Sequence, residues 1–356
     1  MARLFIIGNG YDVSRRGDTC YINFKQWLID NYTNKRSKPL GADEKNNTIF
    51  SLCNKLFAYP LERLQELLTV LDETEKSEYQ SLCSKDTLNR KIVAILVLFY
   101  TMESLEDFSW KSFEENLSKI PLKDIIDKYK EFNRDCGYTI KESLGSPVSG
   151  EVERMTSIYL EIISLFAEWI CSLPPKELAQ RKFEKDIIGS IHSDDTFIVF
   201  NYTKTVEDMF GGMHPEVFFH IHGISTDSRS IIVGHNCKPK SKLTNLDNEG
   251  DYIDEFCAYL YKNPEAVIKN NEDLWNRLSN ASSLDVYEYG WSCSEVDIDY
   301  VNKIAEILKA HGNNAHLFLN DFRGEGKLKR SRWIDCGVNP DIISLYSEDS
   351  SAIHIY

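Results

Sequence analysis

The chain has 356 residues, of which 42% are hydrophobic and 12% aromatic, and its formal net charge at pH 7 is -14. This composition can bury a sizeable core and argues against disorder of the whole chain. A net-acidic chain repels nucleic acid phosphates and anionic membranes, so we expect no membrane association and consider nucleic acid an unlikely partner.

The cysteine usage and the lengths of the apolar runs predict the cellular compartment of the protein. The nine cysteines include no CxxC pair, the first residues reach a glycine too soon for a signal peptide, and the longest apolar run is too short to span a bilayer. We therefore expect a cytoplasmic protein.

The first half of the chain begins with a strand and continues as helices. Residues 4–7 are four consecutive apolar residues, which is typical of a strand buried on both faces, and they lead into a glycine turn. Helical spacing follows in residues 18–32, a polar loop in 34–48 and mostly helical patterns in 49–132, with a buried helix at 90–103. A linker at 141–151 precedes a long helix over 153–173, which Pro174 and Pro175 end.

In the second half, apolar runs that predict strands lie at 195–203, 216–223, 230–235, 283–292 and 314–322, and a helical pattern covers 296–312. Strands that alternate with helices favour a parallel sheet. The predicted fold is α/β, a Rossmann-like parallel sheet with a large, mostly helical insertion after the first βα unit. Residues 1–33 and 186–356 would form the core, and residues 34–185 the insertion.

The stretch "IIGNGYD" places Gly8 and Gly10 where a parallel sheet binds ligands, beyond the carboxyl end of a strand. Such glycines let backbone N–H groups approach a phosphate, although a tight turn without a ligand explains them equally well. Asn201 stands at the tip of the strand at 195–203, where an asparagine either caps the next helix or contacts a ligand.

The stretch "FFHIHG" carries two histidines, His220 and His222, which would share one face of a strand. Two histidines on one strand suggest either metal ligation or one catalytic and one supporting residue. His235 and Cys237 are further ligand candidates, but no carboxylate or cysteine stands at a recognised metal spacing, so we predict no metal site.

The stretch "YEYGWSCSEVDIDY" ends a strand in a second glycine turn, followed by Ser292 and Asp297. A carboxylate in this place either binds ribose hydroxyls or caps the following helix.

The order of "IIGNGYD", "WKSFEENL", "FNYTKTVED", "HIHG" and "GWSCSEVD" along the chain resembles the AbiH family of bacterial phage abortive-infection proteins. Where members of that family tend to have a "GLPTSY"-like stretch, this chain reads "RRGDTCY". The same order is distantly similar to sirtuin-type folds, which bind NAD. The paired CxxC motifs of the sirtuin zinc module are absent, which disfavours deacylation and favours breakdown of NAD.

The resemblance implies a role for each matching position. Asn201 and His222 match the strand-tip asparagine and the histidine that acts as a base, so we predict them as catalytic residues. The positions predicted to bind NAD, as the substrate, are Gly8, Asn9, Gly10, Asp12, Thr203, Gly223, Gly290, Ser292 and Asp297.

The resulting hypothesis is an abortive-infection effector that hydrolyses NAD or a related nucleotide, with a phage-derived trigger and a homo-oligomeric state as further expectations. Two alternatives stay open at this point: a nucleotide-binding sensor without turnover, and a metal-dependent nuclease or hydrolase that uses His220, His222 and His235.

Overall fold

The computed structural model describes residues 2–32, 94, 98, 113–117, 147–174, 176, 178–236, 238 and 261–347. The chain divides into two compact units. The first comprises Met1–Cys20, Ile170–Ile232 and Lys262–Tyr356, and the second comprises Tyr21–Trp169 and Val233–Tyr261. The partition at residues 33 and 185 stays a prediction.

A six-stranded sheet forms the centre of the first unit. Its strands are β1 (Ala2–Ile7), β2 (Thr196–Val199), β3 (Phe218–His220), β4 (Leu284–Tyr289), β5 (Ala315–Asn320) and β6 (Ile343–Tyr346). All neighbouring pairs are parallel, and the order is β3-β2-β1-β4-β5-β6. The predicted α/β, Rossmann-like fold is therefore confirmed. This order changes direction between β1 and β4, where sheets of this kind bind ligands.

The apolar run of β1 follows from its central place in the sheet, because each face of the strand needs its own apolar residues. Leu4 and Ile6 join a core cluster on one face, with residues of β4, β5 and several later helices. Phe5 and Ile7 join a second cluster on the other face, where Phe5 stacks on Phe197 with ring centroids 4.6 Å apart. Full burial of one such side chain stabilises the fold by about 1.5–3 kcal/mol.

The described helices, numbered in chain order, are α1 (Asn9–Arg15), α2 (Tyr21–Tyr32), α3 (Phe113–Leu117), α4 (Pro147–Ser172), α5 (Thr205–Met209), α6 (Pro264–Asn270), α7 (Glu272–Ser279), α8 (Ile298–His311) and α9 (Gly326–Asp335). A π-helical segment at Phe183–Ile188 belongs to the first unit. None of the described helices combines the length and apolar character that crossing a membrane requires.

Aromatic side chains form the described core of the second unit. Phe24 of α2 lies 5.9 Å from Phe113 of α3, 5.3 Å from Phe166 and 5.2 Å from Trp169 of α4, measured between ring centroids. The helix predicted for residues 153–173 is present, and Phe166 and Trp169 pack in this core. The predicted helix at 90–103 and the loop at 34–48 lie outside the described residues, except that residues 94 and 98 are helical.

The sequence predicted one strand that is absent and missed one that is present. Residues 230–235 form no strand, since Ile232 donates its N–H to the carbonyl of His222 at 2.9 Å and accepts from the Tyr202 hydroxyl. Ile231 and Val233 are buried but do not belong to the sheet. Conversely, β6 was not predicted, because this edge strand is short and only its first and last residues are buried.

Register brings the sequence motifs to one edge of the sheet. Ile7 pairs with Val199 and Tyr289, and Val199 pairs with His220. The residues that follow β1, β2, β3 and β4 therefore all emerge at the carboxyl edge of the sheet, and the candidate site is built there.

Candidate functional site

The two glycine turns at the carboxyl edge press directly against each other. Gly8 donates its N–H to the carbonyl of Tyr289 at 2.9 Å, and Gly10 donates to the carbonyl of Gly290 at 2.8 Å. A Cβ atom on Gly8 would lie 2.3 Å from the Cα atom of Trp291, which no side chain tolerates. The glycines are thus required by the close approach of two backbones.

This packing bears on the predicted phosphate contacts. Both glycine amides are used within the fold, and α1 begins at Asn9, whose exposed side chain donates from Nδ2 to the carbonyl of Thr19 at 3.1 Å. A phosphate contact by Gly8, Asn9 and Gly10 stays a prediction.

A group of four polar residues, here called the Asn201 cluster, lies where α1 meets the end of β2. Its members are Asp12, Asn201, Thr203 and Thr205, and all are at least 95% buried. The hydroxyl of Thr203 donates to Oδ2 of Asp12 at 2.5 Å, and Thr203 and Thr205 share a hydrogen bond of 2.7 Å. In the described part of the chain, Oδ1 of Asp12 and Oδ1 of Asn201 have no hydrogen-bond partner.

Burial makes the ionised form of Asp12 unfavourable. Burial raises the pKa of Asp12 above its ordinary value of 3.8, although the hydroxyls of Thr203 and Thr205 act in the opposite direction. The charge of Arg16 and the neighbouring amide of Asn201 also favour the ionised form. A carboxyl group that burial penalises in this way is a common feature of functional sites.

A second group, the His222 cluster, lies at the same edge near the start of α8 and consists of His222, Lys262, Trp291 and Asp297. Nε2 of His222 stands 3.5 Å from Oδ1 of Asp297, and Nζ of Lys262 stands 4.0 Å from the same oxygen. The indole N–H of Trp291 donates to Oδ2 of Asp297 at 3.0 Å. The indole therefore orients the carboxylate toward the imidazole and the ammonium group.

Aromatic rings enclose the imidazole of His222, which is 97% buried. Its ring centroid lies 5.4 Å from that of Phe200, and 6.2 Å from those of Tyr202 and Tyr300. Burial, and after it the charge of Lys262, lower the pKa of His222 well below its ordinary value of 6.5. At neutral pH the imidazole is therefore uncharged, as a general base must be.

The protonated nitrogen of His222 follows from its hydrogen bonds. The imidazole donates to the backbone carbonyl of Phe200, whereas Nε2 has no hydrogen-bond partner among the described residues. Nδ1 is thus the donor, and Nε2 carries the lone pair that faces the carboxylate of Asp297.

Phe200 connects the two clusters. Its carbonyl holds His222, its ring stacks on Trp291 with centroids 4.5 Å apart, and it directly precedes Asn201 in the chain. The structure therefore brings Asn201, His222, Asp12 and Asp297 to one edge of the sheet, on either side of the tip of β2.

His220 has a supporting position. Its Nε2 atom lies 2.9 Å from Oε1 of Glu207 in α5, and its Nδ1 atom lies 3.3 Å from the backbone carbonyl of Asn201. Because β3 ends at His220, the alternation that would place both histidines on one face stops before His222. The two rings have different partners.

The remaining predicted residues are placed less centrally. Ser292 is exposed, and its carbonyl accepts from Arg332 of α9 at 3.2 Å. Gly223 follows His222 in a turn, with its N–H on the carbonyl of His220 at 3.4 Å. Gly290 belongs to the turn that packs on α1. Their contacts with a nucleotide stay predictions, as do those of the two clusters.

Among the described residues, no group of three or more His, Cys, Asp and Glu side chains could hold a metal ion. The metal alternative also involved Cys237, which lies outside the described residues, and His235, which is buried in the second unit.

A cavity of about 530 Å³ lies between α6, α7 and α8, lined by residues that include Glu265, Trp275 and Lys303. None of its lining residues belongs to either cluster. The candidate site is therefore identified by its side chains, and this cavity plays no part in it.

Thr205, Lys262 and Trp291 of the two clusters, and Glu207 beside His220, were not predicted from the sequence. Thr205 repeats Thr203 two positions later and was detectable, since both follow a strand tip. Glu207 and Lys262 gave no comparable signal, because acidic and basic residues on short helices or in loops are usually solvated. Only the fold shows that both are buried.

Comparison with known proteins gives a family. The family model described as bacteriophage abortive infection AbiH matches residues 4–320. No curated protein and no solved structure matches the chain significantly.

Proposed function

Since the chain belongs to the AbiH family of bacteriophage abortive infection proteins, we propose that it serves this defence by hydrolysing NAD or a related nucleotide at the carboxyl edge of the sheet. The reacting residues would be Asn201 and His222. The abortive-infection role comes with the family, and the chemistry is the proposal.

The observation that carries the proposal is a set of buried acceptor atoms. Oδ1 of Asp12, Oδ1 of Asn201 and Nε2 of His222 are all without hydrogen-bond partners among the residues that the structure describes. Leaving such an atom unsatisfied costs about 1–3 kcal/mol, so sites that keep several of them are suited to a ligand.

The type of these atoms favours one part of the ligand. All three accept hydrogen bonds, and a ribose offers two neighbouring hydroxyl donors, whereas a phosphate offers only acceptors. With the amides of Gly8 and Gly10 engaged in the fold, the proposal assigns the two clusters to ribose and its anomeric carbon. The position of the phosphates is left to experiment.

Hydrolysis of NAD at this site would need few protein side chains. In NAD the bond between the anomeric carbon of ribose and the ring nitrogen of nicotinamide breaks, and the bonding electron pair neutralises the charged ring. The oxygen of a water molecule forms the new bond to that carbon, and Nε2 of His222 accepts a proton from this water. Asn201 would orient the ribose and the water, which contributes through placement rather than through acid–base chemistry.

The test uses purified protein, with release of nicotinamide from NAD as the readout, in the presence and absence of phage lysate as trigger. Loss of a general base lowers rates by about 10²–10⁴-fold, so we expect His222→Ala to lose activity to this extent and Asn201→Ala to lose most of it. His316→Ala is the matched control, because that side chain is 56% exposed on β5.

Equal activity in the wild type and both site variants would exclude Asn201 and His222 from the reaction. Absence of nicotinamide release by the wild type under both conditions would reject NAD as the substrate. Binding of NAD in calorimetry without any product would instead identify a sensor.

A further inference from the structure

Lys262 is a buried charge that neither the family match nor the motifs assign to the site. The residue is 4% exposed and its side chain 1%, a rare degree of burial for a lysine. It lies two residues before the start of α6, and its Nζ atom stands 4.0 Å from Oδ1 of Asp297. This oxygen is the one that faces Nε2 of His222.

The imidazole of His222 and the ammonium group of Lys262 therefore both lie near Oδ1 of Asp297. The indole of Trp291 donates to the other oxygen of this carboxylate. A separation of 4.0 Å exceeds a hydrogen bond, so the ammonium group acts on the carboxylate through its charge. Between side chains that are at least 90% buried, such a charge acts more strongly than at the surface.

The sign of this effect follows from the groups that face His222. These are Asp297, Lys262 and the phenols of Tyr202 and Tyr300. An ionised Asp297 on its own would attract a proton to Nε2 and remove the lone pair that the reaction needs. The positive charge of Lys262 opposes this attraction.

We propose that Lys262 is a positioning residue of this site, whose charge offsets that of Asp297 and keeps Nε2 of His222 free to accept a proton from water. The inference rests on the proposed function, because the lone pair on Nε2 has a use only if His222 is the base. The lowering of the His222 pKa by Lys262 agrees with the geometry.

The experiment measures the imidazole directly by NMR of the full-length protein labelled in its histidine rings, without any nucleotide. The His222 signal is assigned by its disappearance in His222→Gln. In Lys262→Met, the midpoint pH of the His222 titration is expected to rise by about one pH unit, whereas Lys262→Arg, which retains the charge, should match the wild type.

The activity measurement follows in the same variants. The acidic limb of kcat/KM for NAD should move to higher pH in Lys262→Met and stay in place in Lys262→Arg. The inference would be overturned if the His222 signal had the same titration midpoint in Lys262→Met and in the wild type. It would also be overturned if the signal titrated in neither protein. A rise in KM with an unchanged titration would also overturn it, since Lys262 would then bind the substrate. Failure of the wild type to act on NAD rejects the proposed function in a separate measurement.

Discussion

Asp12 is a residue whose charged form is disfavoured by its buried place in this site. Its carboxyl group is 99% buried, accepts from Thr203 and keeps one oxygen without a partner among the described residues. Because burial raises its pKa, the ionised form destabilises the folded state. The ligand-binding role predicted for Asp12 would explain why a residue with this cost stands here, since functional residues often reduce stability.

Replacement of Asp12 by asparagine tests this point. The folded pKa lies above the unfolded value of 3.8, so the penalty is absent below pH 3.8, grows as pH rises and is complete above the folded pKa. At pH 7, Asp12→Asn should therefore raise Tm by about 2–4 °C, and the difference should shrink as the pH is lowered toward 3.8.

Thermal unfolding at a series of pH values measures this difference. The control is Asp12→Ala, which leaves the hydroxyls of Thr203 and Thr205 without their acceptor and should lower Tm at every pH. A lower Tm for Asp12→Asn than for the wild type at pH 7 would show that the carboxylate stabilises the fold.

The sequence made Asn201 and His222 candidates because each directly follows an apolar run, and Asp297 because it lies in the segment after β4; parallel strands end at one edge. It could not identify Lys262, whose burial depends on contacts between segments far apart in the chain. Nor could it predict that the carboxylate of Asp297 lies 3.5 Å from the imidazole of His222. Local patterns predict where a side chain leaves the sheet, but not which neighbour it meets.

At the scale of elements, the turn after β1 and the turn after β4 form one packed unit. Gly8 has φ of -106°, which any residue adopts, so its lack of a side chain is required by contact with the backbone of Gly290 and Trp291. The strand, turn and helix pattern was predictable from the sequence. The packing of one turn on the other was not, because it depends on the order of strands in the sheet.

Replacement of Gly8 by alanine tests the contact between the turn after β1 and the turn after β4. Its Cβ atom would lie 2.3 Å from the Cα atom of Trp291, so we expect Gly8→Ala to lower the free energy of unfolding by more than about 2 kcal/mol. Gly211→Ala is the control, since φ there is +65° and a Cβ atom meets nothing within 4 Å. That variant should lose only about 1 kcal/mol, from backbone strain. Urea unfolding of both variants measures the difference, and equal losses would contradict the packed-turn account.

The whole molecule combines a parallel α/β unit with a second unit whose described core is helical and aromatic. The fold class was predictable because β1 and β2 are near-continuous apolar runs and the later strands alternate with helical segments, patterns that parallel sheets produce. The edge strand β6 lacks that pattern, and the extent of each unit depends on contacts that no local stretch encodes. Family membership gives the abortive-infection role, and the two clusters at the sheet edge indicate how this role could be carried out.

The most direct test of the central claim is the NAD content of infected cells that express either the wild type or His222→Ala at equal protein levels. The account predicts that NAD falls after infection in cells with the wild type and stays constant in cells with the variant, which also lose protection against the phage. Protection by the wild type at constant NAD, or an equal fall of NAD with His222→Ala, would contradict it.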